Sequence, residues 1–161
     1  MIFEHVEGGL RLTIDNHSRD VVVHLLGELR NEIESAKSAA PAAIAPHMKR
    51  LFPSAYHSDE KLNEEYLRLT HDDLADTHLS TIDQALELMS PGRVFGNDDL
   101  SGFVRAINTM RLVLGTLLDV SEDDPEDFDD DNPAAPQRHV YDYLGWLLHS
   151  SIDEIDWSGW N

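Results

Sequence analysis

Nine histidines and 31 carboxylates are the side chains of this 161-residue chain that could hold a metal ion or move protons. His17 and His24 lie seven apart, as do His71 and His78, and seven residues return nearly to the same side of a helix. Seven residues also rise about 10 Å, too far for two rings to grip one ion. The productive spacing of three or four residues is absent, as are an HExxH segment and a two-histidine, one-carboxylate triad. A composite site built from several helices is the metal hypothesis that remains; surface histidines beside carboxylates are the plainer reading.

The densest acidity lies in "SEDDPEDFDDDNPAAP", Ser121 to Pro136, with eight carboxylates between Glu122 and Asp131. A calcium loop wants acids at positions one, three and five, glycine at six and glutamate at twelve. Counting from Asp127 satisfies Asp129 and Asp131 but puts Asn132 at six and Arg138 at twelve. A cation in place of the bidentate carboxylate disqualifies the loop. Counting from Asp123 fails sooner, at Pro125. A phosphate mimic would need rigidly held charges, whereas Pro125, Pro133, Pro136 and self-repulsion predict an extended, disordered tether joining the last two helices.

Nucleophilic chemistry finds no better footing. The chain has no cysteine, which excludes disulfides, thiolate zinc sites and a cysteine nucleophile. No GxSxG elbow occurs, and "SPGRVFGNDDLSG" lacks the GK[ST] ending of a phosphate loop. Asp72 and Asp73 read as first-turn acids facing a helix dipole. No catalytic residue, cofactor or metal-ligand set is assigned, and a metal-dependent hydrolase stands only as an alternative.

The net charge is −19; without the eight acids of the tether, 23 acids still face 12 bases, a balance of −11. No lysine or arginine lies between Leu112 and Gln137, and none follows Arg138. Such a field repels DNA and anionic lipid. A direct DNA-binding transcription factor, the other alternative, requires folding to gather Arg11, Arg19, Lys49, Arg50 and Arg68 into one patch. The opening "MIFEHVEGGL" lacks a basic stretch followed by an apolar one, and no run approaches the roughly 18 apolar residues of a membrane span. A cytoplasmic protein without membrane contact is expected.

The elements that must position these side chains are mostly helical. Residues 1–15 read as a β-hairpin, with Gly8 and Gly9 supplying the turn. It should lie on the helices or pair with another copy, because two strands alone are marginal. From Asn16 to Lys37 the apolar period is Val22, Leu25, Leu26, Leu29 and Ile33. "SAAPAAIAP" breaks it. A short helix fits Asp59 to Leu69 with Leu62 and Tyr66 inward, and Thr70 with Asp73 matches a capping box that opens another helix. That helix buries Leu74, Ile82, Leu86 and Met89 and ends at "SPG". Asn97 can cap the next, whose face is Phe103, Ile107, Met110, Leu114 and Leu117. The last helix begins near Gln137, with Val140, Leu144, Leu147, Leu148 and Ile155 inward. The expectation is one mainly α domain over 1–161: a hairpin (1–15), a helical bundle (16–120), the acidic disordered loop (121–136) and a carboxyl-terminal helix (137–161), with about five helices in all.

Gly27, Gly115 and Gly145 sit inside apolar helical stretches, where glycine costs about 1 kcal/mol against alanine. Close approach of a neighbouring backbone or ring would offset that cost; a ligand pocket is the alternative. Leu51, Phe52, Pro53 and Tyr56 form an apolar segment that either plugs the bundle or offers a docking edge. Asn108 and Arg111, about one turn apart, could present a polar contact, although Arg111 fits equally well against an internal carboxylate. Trp157 and Trp160 either dock on the bundle or anchor a partner.

Five features recur in order: "RLFPSAY" (Arg50–Tyr56), "YLRLTHDDL" (Tyr66–Leu74), "INTMRLVLGTLLDV" (Ile107–Val120), the acidic gap, and "YDYLGWLLHS" (Tyr141–Ser150). Together they resemble the actinobacterial AosR-like family of oxidative-stress transcriptional regulators, formerly a domain of unknown function, over nearly the whole chain. The resemblance implies an α-rich cytoplasmic protein that adjusts transcription through contact with a sigma factor or RNA polymerase. The redox reading of that family relies on a cysteine pair, which this chain lacks. Met48, Met89 and Met110 could oxidise instead, although Met89 and Met110 read as core residues. The function expected is therefore non-enzymatic regulation by protein–protein contact, an apolar helical surface supplying affinity and the acidic field selecting basic partners. Homodimer formation through the hairpin edge or a helix face is compatible with it.

Overall fold

The computed structural model describes residues 2–39, 44–52, 60–118 and 135–158. Strands β1 (Phe3–Val6) and β2 (Gly9–Leu12) pair antiparallel, with Val6 opposite Gly9 and Phe3 opposite Leu12. Gly8 adopts φ 91° and Gly9 φ 150°, backbone that a Cβ disfavours. A side chain at Gly9 would also collide with the Phe95 carbonyl. That missing side chain admits a third strand, β3 (Val94–Phe95), which pairs antiparallel with β2 in the order β1-β2-β3. The strand is absent from the sequence reading because two residues are too few to show an alternation. Phe3, Phe95 and Phe103 stack edge to face, with centroids 5.7 and 5.3 Å apart in turn. This ladder seats the sheet on the helices, one of the two outcomes expected for the hairpin.

Helix α1 (Asn16–Ser38) starts at Asp15, whose carboxylate accepts the Ser18 N–H at 2.8 Å and the Ser18 hydroxyl at 2.9 Å. These two bonds hold the Asp15 carboxyl below its ordinary range. Val22, Leu26, Leu29 and Ile33 are buried along the expected stripe. Arg19 is buried as well: it donates to the Met89 carbonyl at 2.5 Å and the Leu12 carbonyl at 3.1 Å. One guanidinium thus joins α1, the end of the next long helix and β2.

A 3-10 helix spans Pro46–Leu51 and leads to Phe52. Helix α2 (Glu60–Leu88) runs unbroken through Thr70, correcting the expected boundary there. No proline or glycine interrupts that stretch, and a threonine three residues before an aspartate is compatible with a helix interior when nothing stops the helix before it. The helix ends at the Pro91–Gly92 turn, where Gly92 takes φ 80°. Helix α3 (Asn97–Leu117) has Gly96, not Asn97, at its cap; the Gly96 N–H donates to Asp99 at 2.9 Å. Helix α4 (Ala135–Ser158) begins two residues earlier than expected.

Helix α1 packs on α2, α2 on α3 and α3 on α4, with the 3-10 helix against α1 and α3. The fold is mainly α, with a small antiparallel sheet at its amino-terminal end. Leu62 and Leu117, expected inward, are 47% and 57% exposed. Both lie at helix ends, and the buried residues of α3 stop at Val113, one turn before Leu117. The tether from 121 to 134 lies outside the described residues, as do Pro53, Tyr56 and Trp160 and the side chains of Tyr66 and Trp157.

Candidate protein-contact surface

The apolar segment after the 3-10 helix turns inward. Leu51 is 4% and Phe52 5% exposed, so these two plug the bundle and offer no docking edge in this conformation. Phe52 lies against His71, ring centroids 4.9 Å apart, and edge-on to His78 at 6.1 Å. His71 Nε2 donates to the Ala36 carbonyl at 2.6 Å, and His78 Nε2 to the Leu51 carbonyl at 2.9 Å. A carbonyl can only accept, which fixes the proton of each ring on Nε2. The seven-residue spacing therefore brings both histidines to one side of α2, where they satisfy backbone carbonyls. His71 is buried, not a surface histidine as expected. Among the described residues no group of three or more histidines, aspartates or glutamates could hold a metal ion.

Arg111 meets an aromatic ring in place of the internal carboxylate considered for it. Its guanidinium lies 4.5 Å from the centroid of the Tyr141 ring, and its Nε is buried without a hydrogen-bond partner. Two glycines make this contact. A Cβ at Gly145 would come within 3.0 Å of Arg111, and a Cβ at Gly115 within 3.0 Å of the Tyr141 ring. Arg111 and Gly115 are four apart on α3, and Tyr141 and Gly145 four apart on α4, so each helix offers a notch to the other's side chain. Close approach explains these two glycines. It does not explain Gly27, where a Cβ would meet nothing within 4 Å. A cleft of about 390 Å³ between α1 and the 3-10 helix is lined by none of the three. Asn108 is exposed on α3.

The surface feature that sequence reasoning missed is Trp146, which is 50% exposed on α4. At about 100° per residue, Asp142, Trp146, His149 and Asp153 fall within roughly 60° of one another, opposite the buried Leu144, Leu147 and Ser151. The indole packs beside the Tyr143 ring at 5.6 Å. Burial pushes the Tyr143 phenol above its ordinary pKa, with Ser18 and Arg19 of α1 close by. Arg138 pairs with Asp142 at 3.3 Å, but its side chain is only 12% exposed and leans over the Tyr141 ring at 5.7 Å. His149 faces Asp153 at 3.7 Å. The outward period of Asp142, Trp146 and His149 within "YDYLGWLLHS" is the sequence signal for this stripe.

Exposed ion pairs also join α1 to α2 and the two strands of the hairpin to each other. Arg30 bridges Glu34 and Asp83 at 2.7 and 2.5 Å, and Lys37 holds Asp76 at 2.6 Å. Arg11 pairs with Glu4 at 2.5 Å. With Arg19 engaged by carbonyls, two of the five cations considered for a basic patch are already committed. Met48, Met89 and Met110 are all buried. No described helix is long and apolar enough to cross a membrane.

Residues 1–155 match the family model described as a domain of unknown function, DUF2017. A protein of Mycobacterium leprae (strain TN), provisionally named oxidative stress regulator AosR, is 24% identical over 166 aligned residues, covering 83% of this chain and 76% of that relative. No solved structure matches the chain.

Proposed function

Because the chain belongs to the DUF2017 family, we propose that it is a regulatory protein that works by contact with another polypeptide, making and breaking no bonds itself. The name of the Mycobacterium leprae relative supports the regulatory part of this reading. The observation that carries the contact part is a half-exposed tryptophan on a helix face lined with carboxylates, in a chain of net charge −19. Such a surface gains affinity from apolar burial and selects partners by charge, speeding encounter with basic surfaces. Sigma factors and RNA polymerase subunits are the partner class this reading favours, in a transcriptional stress response. The AosR-like cysteine switch has no counterpart in these 161 residues, and Met48, Met89 and Met110 are buried. The oxidant signal is therefore received by the partner or by the amount of complex formed.

Affinity purification from the source cell at low and high salt, followed by crosslinking and mass spectrometry with and without oxidant, tests the proposal. A polypeptide partner held at low salt and released at high salt is expected. Recovery of no polypeptide at either salt would overturn it.

A further inference from the structure

Proteins carry single exposed apolar side chains without consequence, but Trp146 has three features that together are not ordinary. It lies opposite the face that α4 buries, so packing among the described residues does not account for it. It is held in place: its ring rests beside Tyr143 at 5.6 Å, and α4 is keyed to α3 by the Arg111–Tyr141 stack. A large aromatic already fixed loses little freedom on binding, which is the property of an interface anchor. Finally, its surround is net acidic: Asp142, paired with the mostly buried Arg138, and Asp153, beside His149, present side chains 53% and 66% exposed, and no lysine or arginine follows Arg138.

We infer that the outward stripe of α4, Asp142–Trp146–His149–Asp153, is the docking surface for a basic amphipathic segment of a partner protein, with Trp146 seated among the partner's apolar side chains and the two aspartates meeting its lysines or arginines. This inference rests on the protein-contact reading above and assigns it a place. A second copy of the chain fits poorly. A two-fold contact through this stripe would set Asp142 and Asp153 against the same carboxylates of the other copy. Phosphate-bearing partners, whether nucleic acid or lipid, meet the same repulsion.

The full chain is titrated with a labelled amphipathic peptide of leucine and lysine, and with its leucine–glutamate counterpart, following fluorescence anisotropy at low and high salt. The lysine peptide binds and the glutamate peptide does not. Trp146→Ala weakens binding about tenfold or more, the loss typical of an aromatic anchor, and Trp146→Phe recovers part of it. Asp142→Asn with Asp153→Asn weakens binding at low salt and flattens its salt dependence. Circular dichroism confirms that each variant is folded, as expected for exposed positions. Unchanged affinity in both Trp146→Ala and the double aspartate variant would overturn the inference. So would a loss of binding seen only when the acids of residues 122–131 are replaced by their amides. Repeating the purification with Trp146→Ala separates the two levels. A partner retained equally by wild type and variant refutes the α4 surface and leaves protein contact standing; no polypeptide captured by either refutes both.

Discussion

Phe52 and Trp146 are both large aromatic side chains within apolar stretches of the sequence, yet one is 5% exposed and the other 50%. Phe52 follows a short 3-10 helix whose inward side faces α1 and α3, and two histidines of α2 close over its ring. Among the described residues, Trp146 belongs to a helix that packs extensively on α3 alone of the long helices, and it lies on the far side from that contact. The difference lies in the neighbours and not in the residue. An aromatic becomes core where elements converge on it and becomes a surface feature where a helix has one partner. The charges divide less sharply: Arg30 and Lys37 pair with carboxylates between α1 and α2, and on α4 Asp142 pairs with Arg138 while Asp153 faces His149.

Phe52→Ala and Trp146→Ala would break this comparison most directly. The first removes a buried ring and should lower unfolding free energy by about 3 kcal/mol. The second, at a half-exposed site, should change it by less than about 1 kcal/mol. Urea denaturation followed by circular dichroism reads both, and equal losses would erase the distinction between plug and surface.

Glycine sharpens the contrast at an intermediate scale. Gly145→Val pushes branched carbons into Arg111 and should cost about 1–3 kcal/mol, measured by the same denaturation. Gly27→Ala should instead gain roughly 0.5–1 kcal/mol, because a methyl there enters open space and alanine is the better helix former. A loss at Gly27 comparable to that at Gly145 would mean that both glycines serve packing.

The smallest expected effect is at the start of α1. The Ser18 N–H and hydroxyl stabilise the charged Asp15 carboxylate, so its folded pKa lies below the ordinary 3.8. The stabilisation is complete above that value and is lost as pH falls through the lowered one. Asp15→Asn keeps a capping oxygen but cannot ionise. Denaturation midpoints taken on the acid side of pH 5 should therefore fall slightly less steeply in the variant than in wild type. An identical pH dependence would remove Asp15 from the acid response.

Sequence periodicity alone determined that this chain is a helical protein opened by a hairpin, because the 3.6-residue recurrence of Val22, Leu26, Leu29 and Ile33 and of Phe103, Ile107 and Met110 is a local property of each helix. Chain-breaking residues marked most ends for the same reason, and the charge balance needed only counting. The continuity of α2 through Thr70 was not legible, since a capping pattern looks the same inside a helix as at its start. Nor was β3, whose two residues pair only because Gly9 leaves them room. Which side chains face a partner was decided by tertiary structure: Phe52 is inward and Trp146 outward because exposure depends on how many neighbours converge on a helix face, and local periodicity does not contain that number.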